Sequence, residues 1–229
     1  MKDILYITTI PSPYRVDYFN ELGKKCNLTV LFEKSKSDER DENWEKHSFY
    51  NFNGIFMPGR KMTVNTAFCP SVIKYLKLQW DKIICCNVST LTGMLAIQYM
   101  KNNDIDYMLE GDGAFAKSGR GVKERVKKHF ISGASGYFST SKALDNYYVK
   151  YGADYNKIHR YKFSSVSNSD ILHLEGTEIS EQIESRDIIR LNYRKELGID
   201  EGKIVILTVG QFIYRKGLDV LLESATLVD

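Results

Sequence analysis

Three short stretches hold residue types that could do chemistry. The first is the turn Gly210-Gln211-Phe-Ile-Tyr-Arg215-Lys216-Gly217. An apolar run at 204–209 leads into it, and Leu218, Leu221, Leu222, Ala225 and Val228 follow at helical spacing. A strand, a glycine turn and a helix start carrying Lys216 make an anion site of backbone N–H groups and one ammonium. The second stretch is Glu110-Gly-Asp112-Gly113, whose carboxylates could accept a proton or steady a developing positive charge. The third is Ile10-Pro-Ser-Pro13-Tyr14-Arg15. A cation near a helix start is disfavoured by about 0.3–1 kcal/mol. An arginine kept there serves either an anionic ligand or a local carboxylate such as Asp17.

Positioning these groups requires an α/β framework. Apolar runs at 4–9, 28–32, 82–86 and 106–109 read as strands, with short strands at 136–139 and 157–162 and one or two more at 49–57. Helical spacing appears at 14–25, 65–77 (with Pro70 near its start), 90–100, 122–131, 142–151 and 181–197. Ser141 is a cap, Gly152 and Gly198 are stops, and Leu144, Tyr147, Tyr148 and Tyr151 share one face. Strands alternating with helices predict a doubly wound, Rossmann-like parallel sheet, whose ligands sit at the carboxyl ends of strands. All three stretches lie at such ends. The polar segment 164–178 separates residues 1–180, one domain, from 181–229, a linker helix and the first β-α unit of a second such domain. One strand and one helix cannot bury their own apolar surface, so this unit reads as the start of a truncated domain.

Composition narrows the classes. A hydrophobic share of 43%, a charged share of 27% and a net charge of +3 describe an ordinary globular chain and no nucleic-acid partner. Cys26, Cys69, Cys85 and Cys86 form no Cys-x-x-Cys pair and read as buried reduced thiols. His47, His129, His159 and His173 show no metal spacing. The opening Met-Lys-Asp-Ile-Leu-Tyr-Ile runs straight into a strand, and no run approaches a membrane span, which predicts a cytoplasmic protein. The acidic segment 34–46 reads as a solvated loop. The basic run Lys117, Arg120, Lys123, Arg125, Lys127, Lys128 holds only Glu124 as an acid. It reads as a solvated helix face or as a peripheral contact with anionic lipid.

The stretch Val209-Gly-Gln-Phe-Ile-Tyr-Arg-Lys-Gly-Leu-Asp-Val-Leu221 resembles the opening of the donor domain in retaining, family-4-like glycosyltransferases of the GT-B fold. The stretches Pro11–Leu22, Ser139–Leu144, Tyr151–Ser165 and Arg194–Ile199 are similar, in the same order, to the first domain of a bacterial polysaccharide subgroup of that family. The resemblance implies transfer of a sugar from a nucleotide-sugar to a glycan or lipid-linked acceptor, with no metal and no further cofactor. Gly210, Gln211, Arg215 and Lys216 would hold the donor diphosphate, where the family often has arginine at the position of Gln211. Pro13, Tyr14 and Arg15 would face the acceptor. Glu110 and Asp112 would lie near the reacting sugar, in a loop where related enzymes often carry histidine and this chain has none. The donor carboxylates of the family fall beyond residue 229, so this chain is expected to be inactive alone. Two other readings stand beside it: a non-catalytic glycan- or partner-binding module, and a nicotinamide-dependent oxidoreductase. The second suffers from Pro-Ser-Pro where Gly-x-Gly-x-x-Gly should be.

Overall fold

The computed structural model describes residues 1–36, 48–116, 119, 121–166, 171, 178–210 and 212–227, and the side chain of Arg215 lies outside that description. The acidic loop expected at 34–46 lies mostly outside it, as do Gln211, Lys117 and Arg120. The chain divides into two compact units, residues 1–168 and 169–229.

The first unit runs β1 (Asp3–Thr8), α1 (Pro13–Gly23), β2 (Asn27–Phe32), β3 (Asn53–Phe56), β4 (Arg60–Lys61), β5 (Ala67–Phe68), α2 (Val72–Leu76), β6 (Lys82–Cys85), α3 (Leu91–Asn102), β7 (Met108–Glu110), α4 (Val122–Ile131), β8 (Gly136–Ser139), α5 (Lys142–Lys150) and β9 (Ile158–Arg160). Seven of the strands form one parallel sheet in the order β3-β2-β1-β6-β7-β8-β9. The expected doubly wound α/β class is therefore the observed one. Each central strand is apolar on both faces because both are covered. On β1, Leu5 and Ile7 enter one core cluster with Ile97 of α3 and Leu144 of α5, whereas Tyr6 enters another with Val16 and Phe19 of α1. Strand alternation thus feeds two cores, one per face.

Local signals behave as the sequence suggests at several ends. The Ser141 side chain accepts a hydrogen bond from Leu144 N, and Thr90 accepts one from Gly93 N. Gly152 ends its helix with φ of +94°. The helix expected over 65–77 is much shorter. Pro70 removes an N–H and disfavours helix at Cys69, and Ala67–Phe68 pair instead with Arg60–Lys61 as an antiparallel ribbon. Thr92 then fastens the ribbon to α3, its hydroxyl donating to Ala67 O and accepting from Cys69 N.

The second unit holds α6 (Ile179–Glu196) and α7 (Leu218–Ala225). Glu178 and Glu181 form a capping box at the start of α6. Arg194 near its end donates to the carbonyls of Asp200, Glu201 and Lys203 and so fixes the turn that follows. The expected strand at 204–209 is not formed. Among the described residues this segment has no ladder partner, and a lone extended segment cannot satisfy its own backbone. Ile204, Leu207 and Val209 stand 90%, 83% and 87% exposed.

Candidate functional site

In an open parallel sheet the strand order reverses once, and loops on either side of that point splay apart to leave a crevice. Here the reversal falls between β1 and β6. A pocket of about 220 Å³ lies there, at the carboxyl ends of β1, β6 and β7. Its walls include Thr8, Ser12, Tyr14, Arg15, Asn87 and Asp112.

Two of the sequence-predicted groups meet at its floor. Arg15, in the first turn of α1, is 7% exposed, and its Nη1 lies 2.8 Å from Oε1 of Glu110, the last residue of β7. The counter-charge for this cation comes from 95 residues away, not from Asp17, which is exposed. Three more donors converge on the same carboxylate. Tyr6 and Cys86 donate to Oε2, the thiol at 2.9 Å, and Tyr161 donates to Oε1. Burial is the largest influence on the Glu110 carboxyl and pushes it up, to about 7; the Tyr161 hydrogen bond opposes that and the Asp112 charge adds to it. Desolvation also pushes the Cys86 thiol up, to about 12, so it acts as a neutral donor. With both oxygens engaged, Glu110 holds Arg15, Tyr6, Cys86 and Tyr161 together. It is not presented to a substrate hydroxyl as an open carboxylate.

Asp112 is different. It is exposed on the pocket rim, and its loop is tied down by Thr140, whose hydroxyl donates to Asp112 O at 3.4 Å. Tyr14 lines the pocket, while Pro13 starts α1 and is exposed. Gly111 explains how the loop holds its place. A Cβ there would come within 2.8 Å of Tyr148 Oη and 3.2 Å of the Leu144 methyls. At this position the glycine serves close packing on α5 rather than mobility. Gly111→Ala should cost about 1–3 kcal/mol by overpacking, and Tyr148→Phe, which removes the obstructing oxygen, should restore part of it. Thermal melts of the two single variants and the double variant test this; strictly additive losses would refute the contact.

Beside the pocket, Glu33 at the end of β2 is 2% exposed and faces no cation in the hydrogen bonds it makes. Thr90 Oγ1 donates to its Oε1 at 2.6 Å, Asn87 Nδ2 donates to the same oxygen, and Ala67 N donates to Oε2 at 3.1 Å. Burial pushes this carboxyl up, against those hydrogen bonds. Glu33 therefore joins β2, the β4–β5 ribbon and the β6–α3 loop. Because Asn87 Nδ2 must point at the carboxylate, its Oδ1 is fixed as an acceptor. Among the described residues, Asn87 Oδ1 and Asn65 Oδ1 have no partner, and both residues line the pocket. An unpaired buried acceptor costs about 1–3 kcal/mol.

In the second unit, Lys216 is exposed, and its aliphatic carbons run 3.6–3.9 Å from where a Cβ on Gly210 would stand. The turn thus brings these two predicted residues together. A 3-10 turn at Tyr214–Lys216 ends at Gly217, with φ of +65°, and α7 starts from there. Gln211 and the Arg215 side chain lie outside the described residues. Among the described residues, no group of three or more His, Cys, Asp or Glu side chains could hold a metal ion.

The supporting residues Tyr6, Glu33, Asn87 and Tyr161 were not singled out from the sequence, and Cys86 was read only as a buried thiol. Glu33 carried a usable signal, since it is an acid placed directly after an apolar strand, at a carboxyl end. Tyr161 and Tyr6 carried none, because their partner is distant in sequence.

The fold and the crevice define a doubly wound, Rossmann-like α/β unit with its pocket at the reversal point. No family model and no curated protein matches the sequence. Solved structures do match. HepE of Anabaena in complex with UDP and glucose superposes with a TM-score of 0.51 at 12% identity, over 86% of this chain and 50% of its own. The same protein in complex with UDP-glucose gives 0.51 at 12%, with the same coverage. The chain thus spans about half the length of these structures, and at such identity the likeness is one of fold.

Proposed function

We propose that the chain is the acceptor-side half of a GT-B glycosyltransferase, which transfers a sugar with retention from a nucleotide-sugar to a glycan or lipid-linked acceptor. The observation that carries this reading is the switch-point pocket, with an open carboxylate, Asp112, at its rim and an engaged Arg15–Glu110 pair at its floor. The shared fold with half of a protein solved with UDP-glucose supports it. In this reading Asp112 receives or orients the acceptor hydroxyl, and Pro13, Tyr14 and Arg15 shape the acceptor side. Glu110 is a positioning residue. Gly210, Gln211, Arg215 and Lys216 hold the donor diphosphate, whose departing charge backbone N–H groups and Lys216 stabilise without a metal. Donor contacts from a second domain orient the sugar in this reading.

The test is transfer from a panel of labelled nucleotide-sugars, measured on this chain and on any longer form of the gene. Transfer by the longer form, reduced about 10²–10⁴-fold by Asp112→Asn, is the expected result. The engagement of all Glu110 oxygens favours a second reading, a non-catalytic glycan-binding module. Glycan binding without transfer by any form would establish that reading instead.

No helix among the described residues is long and apolar enough to cross a membrane. A peripheral contact has a candidate in α4. Its acid, Glu124, is turned inward: the Tyr151 hydroxyl donates to it at 2.5 Å and Lys127 and Lys150 lie at 3.1 and 3.4 Å. That hydrogen bond, then Lys127, holds the carboxyl down, at about 2. Lys123, Arg125 and Lys128 remain exposed beside Val122 and Val126. Cations near an anionic membrane surface gain about 1 kcal/mol each. The protein is expected to float with anionic vesicles at low salt and to release as salt rises; equal flotation with neutral vesicles, or none with either, rejects the contact.

A further inference from the structure

The switch-point pocket is poor in net charge and rich in acceptors. Its cation is already spent on Glu110, while the Asp112 carboxylate stands exposed on the rim to receive hydrogen bonds, and Asn65 and Asn87, whose Oδ1 atoms have no partner, line the walls. Such a set suits a ligand that donates from several hydroxyls and does not suit a phosphate. On the other side of Tyr14 lies a second cavity, again of about 220 Å³, between α1 and the segment after β9. Its walls include the rings of Tyr14, Tyr18 and Phe163. Phe163 meets Tyr14 edge-on at 5.8 Å and Tyr18 at 6.1 Å. Asp17, Glu21 and Ser164 stand on the rim, where the exposed Lys162 offsets one of the two acids. Apolar ring faces bordered by a few hydrogen-bonding groups fit a pyranose, whose C–H face is apolar and whose edge carries hydroxyls.

The two cavities are coupled by more than proximity. Tyr14 borders both. Arg15, held from the pocket side by Glu110, lies 5.5 Å over the Phe163 ring that forms the cleft. A chain of sugars could therefore run from one cavity to the other past Tyr14.

We propose that the switch-point pocket and the aromatic cleft are consecutive sugar subsites, and that this unit takes an uncharged glycan of at least two rings. The proposal rests on the acceptor-side reading above and names its acceptor class.

The experiment is titration of the full chain, by calorimetry and by ¹³C-tyrosine NMR, with neutral monosaccharides, their matched disaccharides, inorganic phosphate and UDP. The expected result is a disaccharide that binds about ten-fold tighter than its monosaccharide, one recognition contact's worth, and shifts the Tyr14 resonance. Phe163→Ala and Asp17→Asn should each lower the disaccharide affinity towards that of the monosaccharide. Asp17 is exposed, so its substitution tests the cleft even if Phe163→Ala fails to fold. Equal affinity for mono- and disaccharide overturns the two-subsite arrangement and leaves the acceptor-side reading standing. Phosphate or UDP competing with sugar for the pocket overturns the uncharged ligand. No sugar binding at all overturns both this proposal and the reading beneath it.

Discussion

Glu110→Ala is expected to cost about 3–5 kcal/mol of stability, the range for removing one partner of a buried ion pair. The pair is buried on both sides, with side-chain exposures of 8% for Arg15 and 1% for Glu110. Alanine leaves a buried guanidinium at the carboxyl ends of the central strands with no counter-charge, and leaves Tyr6, Tyr161 and Cys86 without their common acceptor. For a chain this size the loss corresponds to a fall of roughly 6–20 °C in Tm. Though Arg15 still loses its counter-charge, Glu110→Gln should cost less. Its carbonyl can still accept from Arg15, and its amide can donate to the tyrosine oxygen, which accepts as well as donates. A second comparison isolates the charge. The double variant Glu110→Leu with Arg15→Met should recover much of the loss, because replacing both partners of a buried pair by apolar groups is often nearly neutral. Chemical denaturation of the three variants beside the parent chain decides it; a Glu110→Ala loss below about 1 kcal/mol would contradict the burial of the pair.

The second large effect concerns association. The 229-residue chain is expected to form concentration-dependent oligomers, relieved by ending the chain near Leu197. Residues 204–209 have no ladder partner among the described residues, and Ile204, Ile206, Leu207, Val209, Phe212 and Tyr214 are 71–94% exposed. An unpaired apolar segment offers both free backbone groups and free apolar area to another copy. Burying three or four such side chains would contribute about 5–10 kcal/mol before the cost of association. Sedimentation over a hundred-fold range of concentration reads the result. Leu207→Lys with Phe212→Lys, which leaves the chain length intact, should shift the distribution towards monomer. A monodisperse monomer at every concentration would be incompatible with this exposure.

Much of the first unit was legible. Its strands announced themselves as apolar runs, its helices as spaced apolar residues, and Ser141 and Gly152 marked both ends of α5. What failed did so for identifiable reasons. Residues 65–77 had helical spacing, but Pro70 and the Thr92 hydroxyl favoured a ribbon for its first part. Residues 204–209 had the composition of a strand, but a strand is a pairing, and composition does not supply the partner. The site was legible as loops and not as contacts. Position at strand ends drew attention to Arg15, Glu110 and Asp112. It could not say that Arg15 and Glu110 bind one another, because sequence periodicity carries no information about partners 95 residues apart. Nor could it say that Gly111 answers to Tyr148, on the later helix α5.

The reach of the Arg15–Glu110 pair has a kinetic consequence. Strands β2 and β3 lie within the first 56 residues and can pair early beside β1, but β6 and then β7 must join on its other side before Glu110 arrives. Closing that long loop is the slow, entropically opposed part of assembly. Until it closes, Arg15 sits at the start of α1 as an uncompensated cation. The pair therefore acts as a latch that engages only on a completed sheet, and substitutions in it should act mainly on unfolding rates, leaving early collapse unaffected.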